Sequence, residues 1–408
     1  MAQRRNRLLI VTHMYPNLQD PNNGIFVKDQ ATALARLGWD IRVVAPVARV
    51  PWFLKGRKQR WDEMARIPSC ETVDGITIYH PRTICLPRER SLLLDGFLYY
   101  LATRKTVRRI WDEFRFDCIH VHGVIPDAVG TVMLNRKYRV PLVVNMHGRL
   151  LSKTLFKRGP YGALAAFAFR RTDTVVTVGS HDAARLERLF PFMQDVRTVH
   201  NGIDVEALDT AAGETRKNGD PHPLLLTVAR LIERKNQAAV IEAVAVLKSE
   251  YPRLEYRILG AGSNENVLRS LSSKLGVSEN VKFLGPKPRP EVYREMSRCD
   301  IFVMPSWDEA LGVVYLEAMA LGKPIIGSKG EGIADIVEDG RTGVLVDARD
   351  VAELTDKIRW LADNPETARG IGAAGSDLVR SEYTWEVNAR KAAALYSELT
   401  SRSAAHAR

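Results

Sequence analysis

Two glutamates eight residues apart, Glu309 and Glu317, sit in the stretch PSWDEALGVVYLEAMALGKPIIG, where an apolar strand gives way to an apolar helix. A surface helix keeps its carboxylates on the outer face, so an acid inside VYLEAMALG calls for a ligand or a partner. The pattern predicts a helix starting near Gly312, with free backbone N–H groups from Ala310 through Leu311 and Gly312 to Val313 pointing at an anion. Eight helical residues span about 12 Å at ~1.5 Å each, comparable to the diphosphate of a sugar nucleotide from one end to the other. Glu309 would then hold a sugar hydroxyl and Glu317 the ribose hydroxyls. The plainer reading makes Glu309 a helix-capping acid and Glu317 a surface residue.

Arg230 and Lys235, in TVARLIERKNQ, follow another apolar strand. An arginine fork and a flexible ammonium across one strand-to-helix turn can converge on a diphosphate, although solvated surface charge is the usual fate of such residues. Gly24, after THMYPNLQDPNN, lets backbone approach an anion at the start of the first helix, or is simply a turn glycine. His120 and His122 in CIHVHG, and His147 in VVNMHGR, lie at strand ends. A lone histidine is commonly structural, and no carboxylate spacing marks these as metal ligands. The chain contains no Asp-x-Asp, so a diphosphate leaving group would be met by Arg230, Lys235 and helix N-termini rather than by a metal.

The elements that must position these residues are repeated βα units, read from short apolar runs alternating with helical patterns. RLLIVTH, DIRVVAP, CIHVHG, PLVVNMHG and TVVTVGS form one strand series, and LLLTVAR, EYRILGAG, VKFLG, DIFVMPS, PIIGSKG and GVLVDA form another. Residues 50–115 break the rhythm, mixing basic and bulky apolar residues. A polar stretch over residues 208–223 reads as the linker. Two doubly wound α/β domains in tandem follow, with ligands expected beyond the carboxyl ends of the strands.

The 408-residue length fits two domains. Cys70, Cys85, Cys118 and Cys299 show neither a disulfide framework nor a zinc spacing, which fits a reducing cytoplasm. LLIV near the N-terminus is too short for a signal peptide, and no run of 18 apolar residues is present. The net charge of +11 is uneven: residues 1–200 hold 32 Lys and Arg against 17 Asp and Glu, and residues 201–408 hold 27 against 31. The basic half suits an anionic surface, lipid or nucleic acid, or else carries solvated charge only.

Together the motifs resemble the retaining glycosyltransferases of family 4, which have the GT-B fold. EALGVVYLE is similar to the family's E-x7-E motif, and VARLIERKN to its G-R-L-x-x-x-K segment with Ala229 in place of glycine. VHNGID, FLG and YTWEVNA match further signatures, so the resemblance spans residues 8–395. It implies two Rossmann-like domains with the active site in the cleft between them. An acceptor-binding domain would cover residues 1–203 and a nucleotide-sugar domain 204–384, with a C-terminal helix from about 385 packing back on the first. Arg230 and Lys235 would neutralise the donor diphosphate, Glu317 would bind ribose, and Glu309 and His147 would face the transferred sugar. Gly24 would lie by the diphosphate, Gly260 and Gly262 would shape the nucleotide floor, and Gly285 would begin the base-contacting loop. Asn23 and His122 are placed on the acceptor side.

The resemblance further implies same-face substitution without metal or cofactor, the departing diphosphate taking the acceptor proton. UDP is weighted over GDP as carrier. The basic first half suggests an enzyme peripheral on the cytoplasmic membrane face that extends a lipid-linked or polysaccharide acceptor. Competing readings are another GT-B enzyme, such as a nucleotide-sugar epimerase, a sucrose-type synthase or a small-molecule glycosyltransferase. A dehydrogenase is disfavoured because GAGSNE lacks the third glycine of G-x-G-x-x-G. A nucleic-acid binder would leave the acidic half and its glutamates idle, so no nucleic-acid partner is expected.

Overall fold

Strands buried on both faces explain the unbroken apolar runs of this sequence. In the computed structural model, which describes residues 6–51, 57–84, 92–148, 159–212 and 222–406, alternate residues of the same strand enter different cores. Leu9 and Val11 of β1 (Arg7–Thr12), Ile119 and Val121 of β7 (Cys118–His122), and Leu142 and Val144 of β8 (Leu142–Met146) pack on one face. Leu8, Ile10, Cys118 and Val143 pack on the other.

The chain divides into two units, residues 1–200 with 385–408, and residues 201–384. The first is built on an eight-stranded sheet. Its order is β10 (Val196–Thr198), β9 (Thr174–Thr177), β8, β7, β1, β2 (Asp40–Val44), β5 (Ile76–Tyr79), β4 (Cys70–Val73). Among the described residues, only the β4–β5 pair of this sheet is antiparallel. The sheet reverses its winding between β1 and β7, the place where open α/β sheets bind ligands. α1 (Ile25–Arg36) and α14 (Trp385–His406) share one face, where Val27, Leu34, Trp385, Ala389 and Tyr396 are buried together.

Residues 50–115 contain regular structure that the loss of rhythm hides: α2 (Gln59–Arg66), the β4–β5 hairpin and the long α3 (Leu92–Phe114). A small sheet joins β3 (Val47–Ala48) to β6 (Arg82–Thr83). Much of FLKGRKQR and SKTLFKRGP, the start of SLLLDGFLYYLATRKTVRR, and Cys85 lie outside the described residues. Among the described residues, no helix is long and apolar enough to cross a membrane.

The second unit has six parallel strands in the order β13 (Val281–Gly285), β12 (Glu255–Leu259), β11 (Leu224–Val228), β14 (Ile301–Val303), β15 (Ile325–Ser328), β16 (Val344–Val346). Its switch point falls between β11 and β14. Tyr256 and Ile258 of β12 share a buried core with Val240 and Val244 of α8 (Gln237–Leu247). The expected linker from residue 208 needs correction. Residues 208–211 complete α7 (Val205–Ala211), which Asp204 caps by accepting the Ala207 N–H at 2.9 Å. Residues 213–221 lie outside the described part.

Candidate functional site

The second unit gathers its candidates at the switch point, on the loops that follow β11 and β14. Arg230 opens the first loop, with its guanidinium exposed and unpaired among the described residues. A 3-10 turn over Glu233–Lys235 then delivers Lys235, and Asn236 enters α8 in the left-handed conformation at φ 56°. The Asn236 amide donates to the carbonyls of Pro305 at 3.0 Å and Ala348 at 2.6 Å, and Trp307 N–H donates to Arg234 O at 2.9 Å. These bonds hold the two loops in fixed relation.

Lys235 Nζ is ion-paired with Glu309 Oε2, and each side chain is only 12% exposed. Arg234 also approaches that oxygen, at 3.4 Å, and donates to Asp308 O at 3.1 Å. Burial lowers the Lys235 ammonium from its ordinary range more than the charge of Glu309 raises it. The Glu309 backbone is tied as well, its N–H donating to Glu331 Oε2 at 2.8 Å.

The expected helix begins at Val313, with Gly312 at its N-cap at φ 74° and no side chain capping it. Glu309 therefore precedes the helix, and the 12 Å helical separation from Glu317 does not apply. Ala310 and Leu311 also precede it. Leu311 is buried, so only its backbone can serve an anion, and the Ala310 carbonyl is covered by the backbone of Gly332, where a Cβ would stand 1.8 Å from that oxygen. Glu317 is buried in α11 (Val313–Ala320), where its Oε1 accepts from Arg289 at 3.2 Å and from the Tyr293 hydroxyl at 3.0 Å. Both partners come from one face of α10 (Arg289–Arg298). Burial, then the charge of Glu317, holds the Tyr293 phenol well above its usual range.

Gly260 and Gly262 pack directly on the Arg230 loop. A Cβ at Gly260 would lie 1.9 Å from Ala229 O, and one at Gly262 would lie 2.1 Å from Leu231 O. Gly285 ends β13 at φ 70°, and its carbonyl accepts the Gly260 N–H at 2.9 Å. Backbone cannot yield as a side-chain tip can, so Gly262→Ala should displace the Arg230 loop and cost on the order of 1–3 kcal/mol. A lowered melting temperature with weakened nucleotide binding would show this, and unchanged binding would refute it.

The first unit holds the remaining candidates. Gly24 caps α1 at φ 63°, so close to Met14 that a Cβ would stand 2.3 Å from its carbonyl oxygen. Asn23 beside it donates to His13 O at 3.1 Å. His122 is buried in β7, so it serves as backing rather than an exposed acceptor contact, its Nδ1 lying 3.0 Å from His147 Nε2. His147 rests against Phe26, ring centroids 4.3 Å apart, and burial pushes it down to about 3, leaving it neutral near pH 7.

Several residues escape sequence reading. Arg289 and Tyr293 stand four apart on one helix, a spacing that signals a shared face only when their partner is known. Glu331, Gly332 and Asn236 carry no motif of their own, and neither does the pair of His13 with Asp127. Among the described residues, no group of three His, Cys, Asp or Glu converges as metal ligands would.

Comparison with known proteins gives two family matches. A model described as Glycosyl transferases group 1 matches residues 213–377, and one described as Glycosyltransferase Family 4 matches residues 24–207. A GDP-mannose-dependent monoacylated alpha-(1-6)-phosphatidylinositol monomannoside mannosyltransferase from Corynebacterium glutamicum is 31% identical over 331 residues, covering 78% of this chain and 82% of that one. Among solved structures, a sucrose-phosphate synthase from Thermosynechococcus elongatus superposes with a TM-score of 0.75 at 19% identity, covering 98% of this chain and all (100%) of that one. Anabaena HepE in complex with UDP and glucose superposes with a TM-score of 0.71 at 18% identity, covering 97% of this chain and 100% of that one.

Proposed function

The chain belongs to glycosyltransferase family 4, with two Rossmann-like domains of the GT-B class and use of a nucleotide-sugar donor; on that premise we propose that it moves a hexose, with retention, from GDP-mannose to a lipid-linked polyol. The observation that carries the donor side is the pairing of Lys235 with Glu309 at the switch point of the second unit, beside the unpaired Arg230. An arriving diphosphate draws Lys235 and Arg230 onto its oxygens. Glu309, relieved of Lys235, is then free to accept a hydroxyl of the transferred sugar. Glu317, steadied by Arg289 and Tyr293, holds the ribose, and the cationic side chains meet the leaving charge without a metal.

The name of the Corynebacterium relative supports GDP-mannose ahead of the UDP carrier that the motifs alone favour. That name and the basic excess of residues 1–200 support a lipid acceptor reached from the cytoplasmic membrane face. Ile84, Leu94 and Phe97 of the same unit are exposed, and Leu94 and Phe97 share a face of α3. Apolar side chains among basic ones suit an anionic headgroup layer.

A thermal-shift screen of GDP-mannose, UDP-glucose and ADP-glucose tests this reading, since a ligand that binds only the native state raises its melting point. GDP-mannose should give the largest shift, unaffected by a metal chelator and diminished in Glu317→Gln. Labelled mannose should then pass to phosphatidylinositol in vesicles. A melting point indifferent to all three donors would end the proposal, and a larger shift with UDP-glucose would return the carrier to UDP.

A further inference from the structure

Glu331 brings a second carboxylate to Glu309, and both residues belong to the second unit. It lies in the loop after β15, extended, just before the 3-10 turn Gly332–Asp335. Its Oε2 accepts the Glu309 N–H at 2.8 Å, and its neighbour Gly332 donates an N–H to Glu309 O at 3.1 Å. Two adjoining residues thus clasp both backbone groups of Glu309. The approach is so close that a Cβ on Gly332 would stand 1.8 Å from Ala310 O.

A neutral side chain would hold that N–H as well, since an amide or hydroxyl oxygen accepts it without setting a second negative charge beside Glu309. The carboxylate is therefore more than a tether. Glu331 is half-buried, and among the described residues no lysine or arginine pairs with it. Lys235 and Arg234 turn to Glu309 Oε2 instead. Burial first, with the charges of Glu309 and Glu331 adding to it, holds the Tyr315 phenol of α11 above its usual range, so both carboxylates stand near one buried hydroxyl. That hydroxyl is already committed to the Met304 carbonyl. What remains is Glu331 Oε1, an acceptor without a partner among the described residues, on the segment that fixes Glu309.

Resting on the reading that Glu309 meets the transferred sugar, we propose that Glu331 is a specificity-determining residue of the same pocket, its Oε2 fixing Glu309 and its Oε1 accepting a second sugar hydroxyl. Ionised carboxylates accept and do not donate, so two of them side by side select a ring that presents two hydroxyl donors. A ring lacking one of those hydroxyls leaves a carboxylate oxygen unserved and is bound less well. Once a diphosphate has drawn Lys235 away, the pocket keeps two carboxylates against Arg234 alone. A sugar that carries its own carboxylate is then repelled. The donor class is a neutral hexose, and a nucleotide hexuronate is excluded.

The test measures equilibrium binding to the full-length protein by calorimetry, with GDP, GDP-mannose, its monodeoxy forms and GDP-mannuronate as probes. The matching UDP-glucose set replaces them if UDP-glucose gives the larger melting shift. In the wild type, one monodeoxy donor should bind about 10-fold or more weakly than its parent, the loss expected for one hydrogen bond to a charged group. Glu331→Gln keeps an oxygen for the Glu309 N–H and should erase most of that difference while leaving the affinity for the nucleoside diphosphate intact. The hexuronate should bind the wild type at least about 10-fold more weakly than the neutral hexose and gain affinity in Glu331→Gln. Glu331→Ala, which also frees the Glu309 N–H, should weaken the parent donor further.

A penalty for every missing hydroxyl that is the same in wild type and Glu331→Gln overturns the proposal. So does a hexuronate bound as tightly as the neutral hexose, or a nucleoside diphosphate affinity lost together with that of the sugar in Glu331→Gln, which would make Glu331 structural only. Wild-type protein that binds neither nucleoside diphosphate nor nucleotide sugar overturns the glycosyltransferase reading instead.

Discussion

Lys235→Ala should lower kcat/KM for transfer by about 10²–10³-fold, the loss that follows removal of one preorganised stabiliser of developing negative charge. The ammonium is nearly buried and is placed by the turn before Asn236, whose amide clasps the neighbouring loops. Little reorganisation is therefore needed when the diphosphate departs. Arg230→Ala should cost less, because an exposed guanidinium has both freedom to lose on binding and water competing for its charge. Glu309→Gln separates charge from geometry. The charge of Glu309 raises the Lys235 ammonium against the lowering effect of burial, so without it Lys235 gives up its proton at lower pH. The alkaline limb of the rate profile should then move downward. Wild-type turnover in Lys235→Ala, or an unmoved alkaline limb in Glu309→Gln, would remove this pair from the donor site.

The strands were legible because burial on both faces writes itself as an apolar run. LLLTV, EYRIL and VKFLG are strands over almost the residues the pattern marks. The loops after them were legible as positions, since switch-point chemistry follows from strand order, and Lys235 and Glu309 do meet there. Partnership was not legible. Glu317 looked like an acid waiting for a ligand, yet it is already held by Arg289 and Tyr293 from a helix more than twenty residues away in sequence. The Glu309 to Glu317 spacing suggested one continuous helix, but Asp308 at φ 54° and Gly312 at φ 74° break the backbone between strand and helix. Local periodicity carries no record of a left-handed residue that is not glycine, nor of a carboxylate whose partner arrives through tertiary packing. His13 and Asp127 were missed for the same reason: 114 residues separate them in the chain and one hydrogen bond separates them in the fold.

Lowering the pH from 7 to 5 should destabilise the first unit through the His120–His122–His147 row, by about 2 kcal/mol for each of His120 and His147 at roughly 1.4 kcal/mol per pH unit below the free value, with His122 acting in the same direction. The rings follow one another inward from the helix α14, where His120 Nδ1 meets the Tyr396 hydroxyl at 2.7 Å. Centroids are 4.2 Å apart from His120 to His122 and 5.3 Å from His122 to His147. Burial pushes His120 and His147 down to about 3, with the charge of His147 adding to the effect at His120. His122, between them, is held well below its ordinary value by burial and then by both neighbours. The unfolded chain takes up protons near the free value of about 6.5, whereas the native row stays neutral. Stability is therefore full above that value and falls as pH drops towards the folded ones. His13 has the opposite sign: its raised value gives stability that is complete below about 6.5 and lost as pH rises through the folded value. One such group offsets part of what three lose. The carboxylates held low by arginines, such as Asp195 and Glu398, lose their contribution only nearer pH 4, so the window from pH 6.5 to 5 reports the histidines. Urea unfolding across that window should show the decline, and His122→Phe, which removes one titrating ring and its buried nitrogens, should reduce the slope. Equal stability at pH 7 and pH 5 would mean that the row takes up protons without unfolding, and that His147 can carry charge where it faces the site.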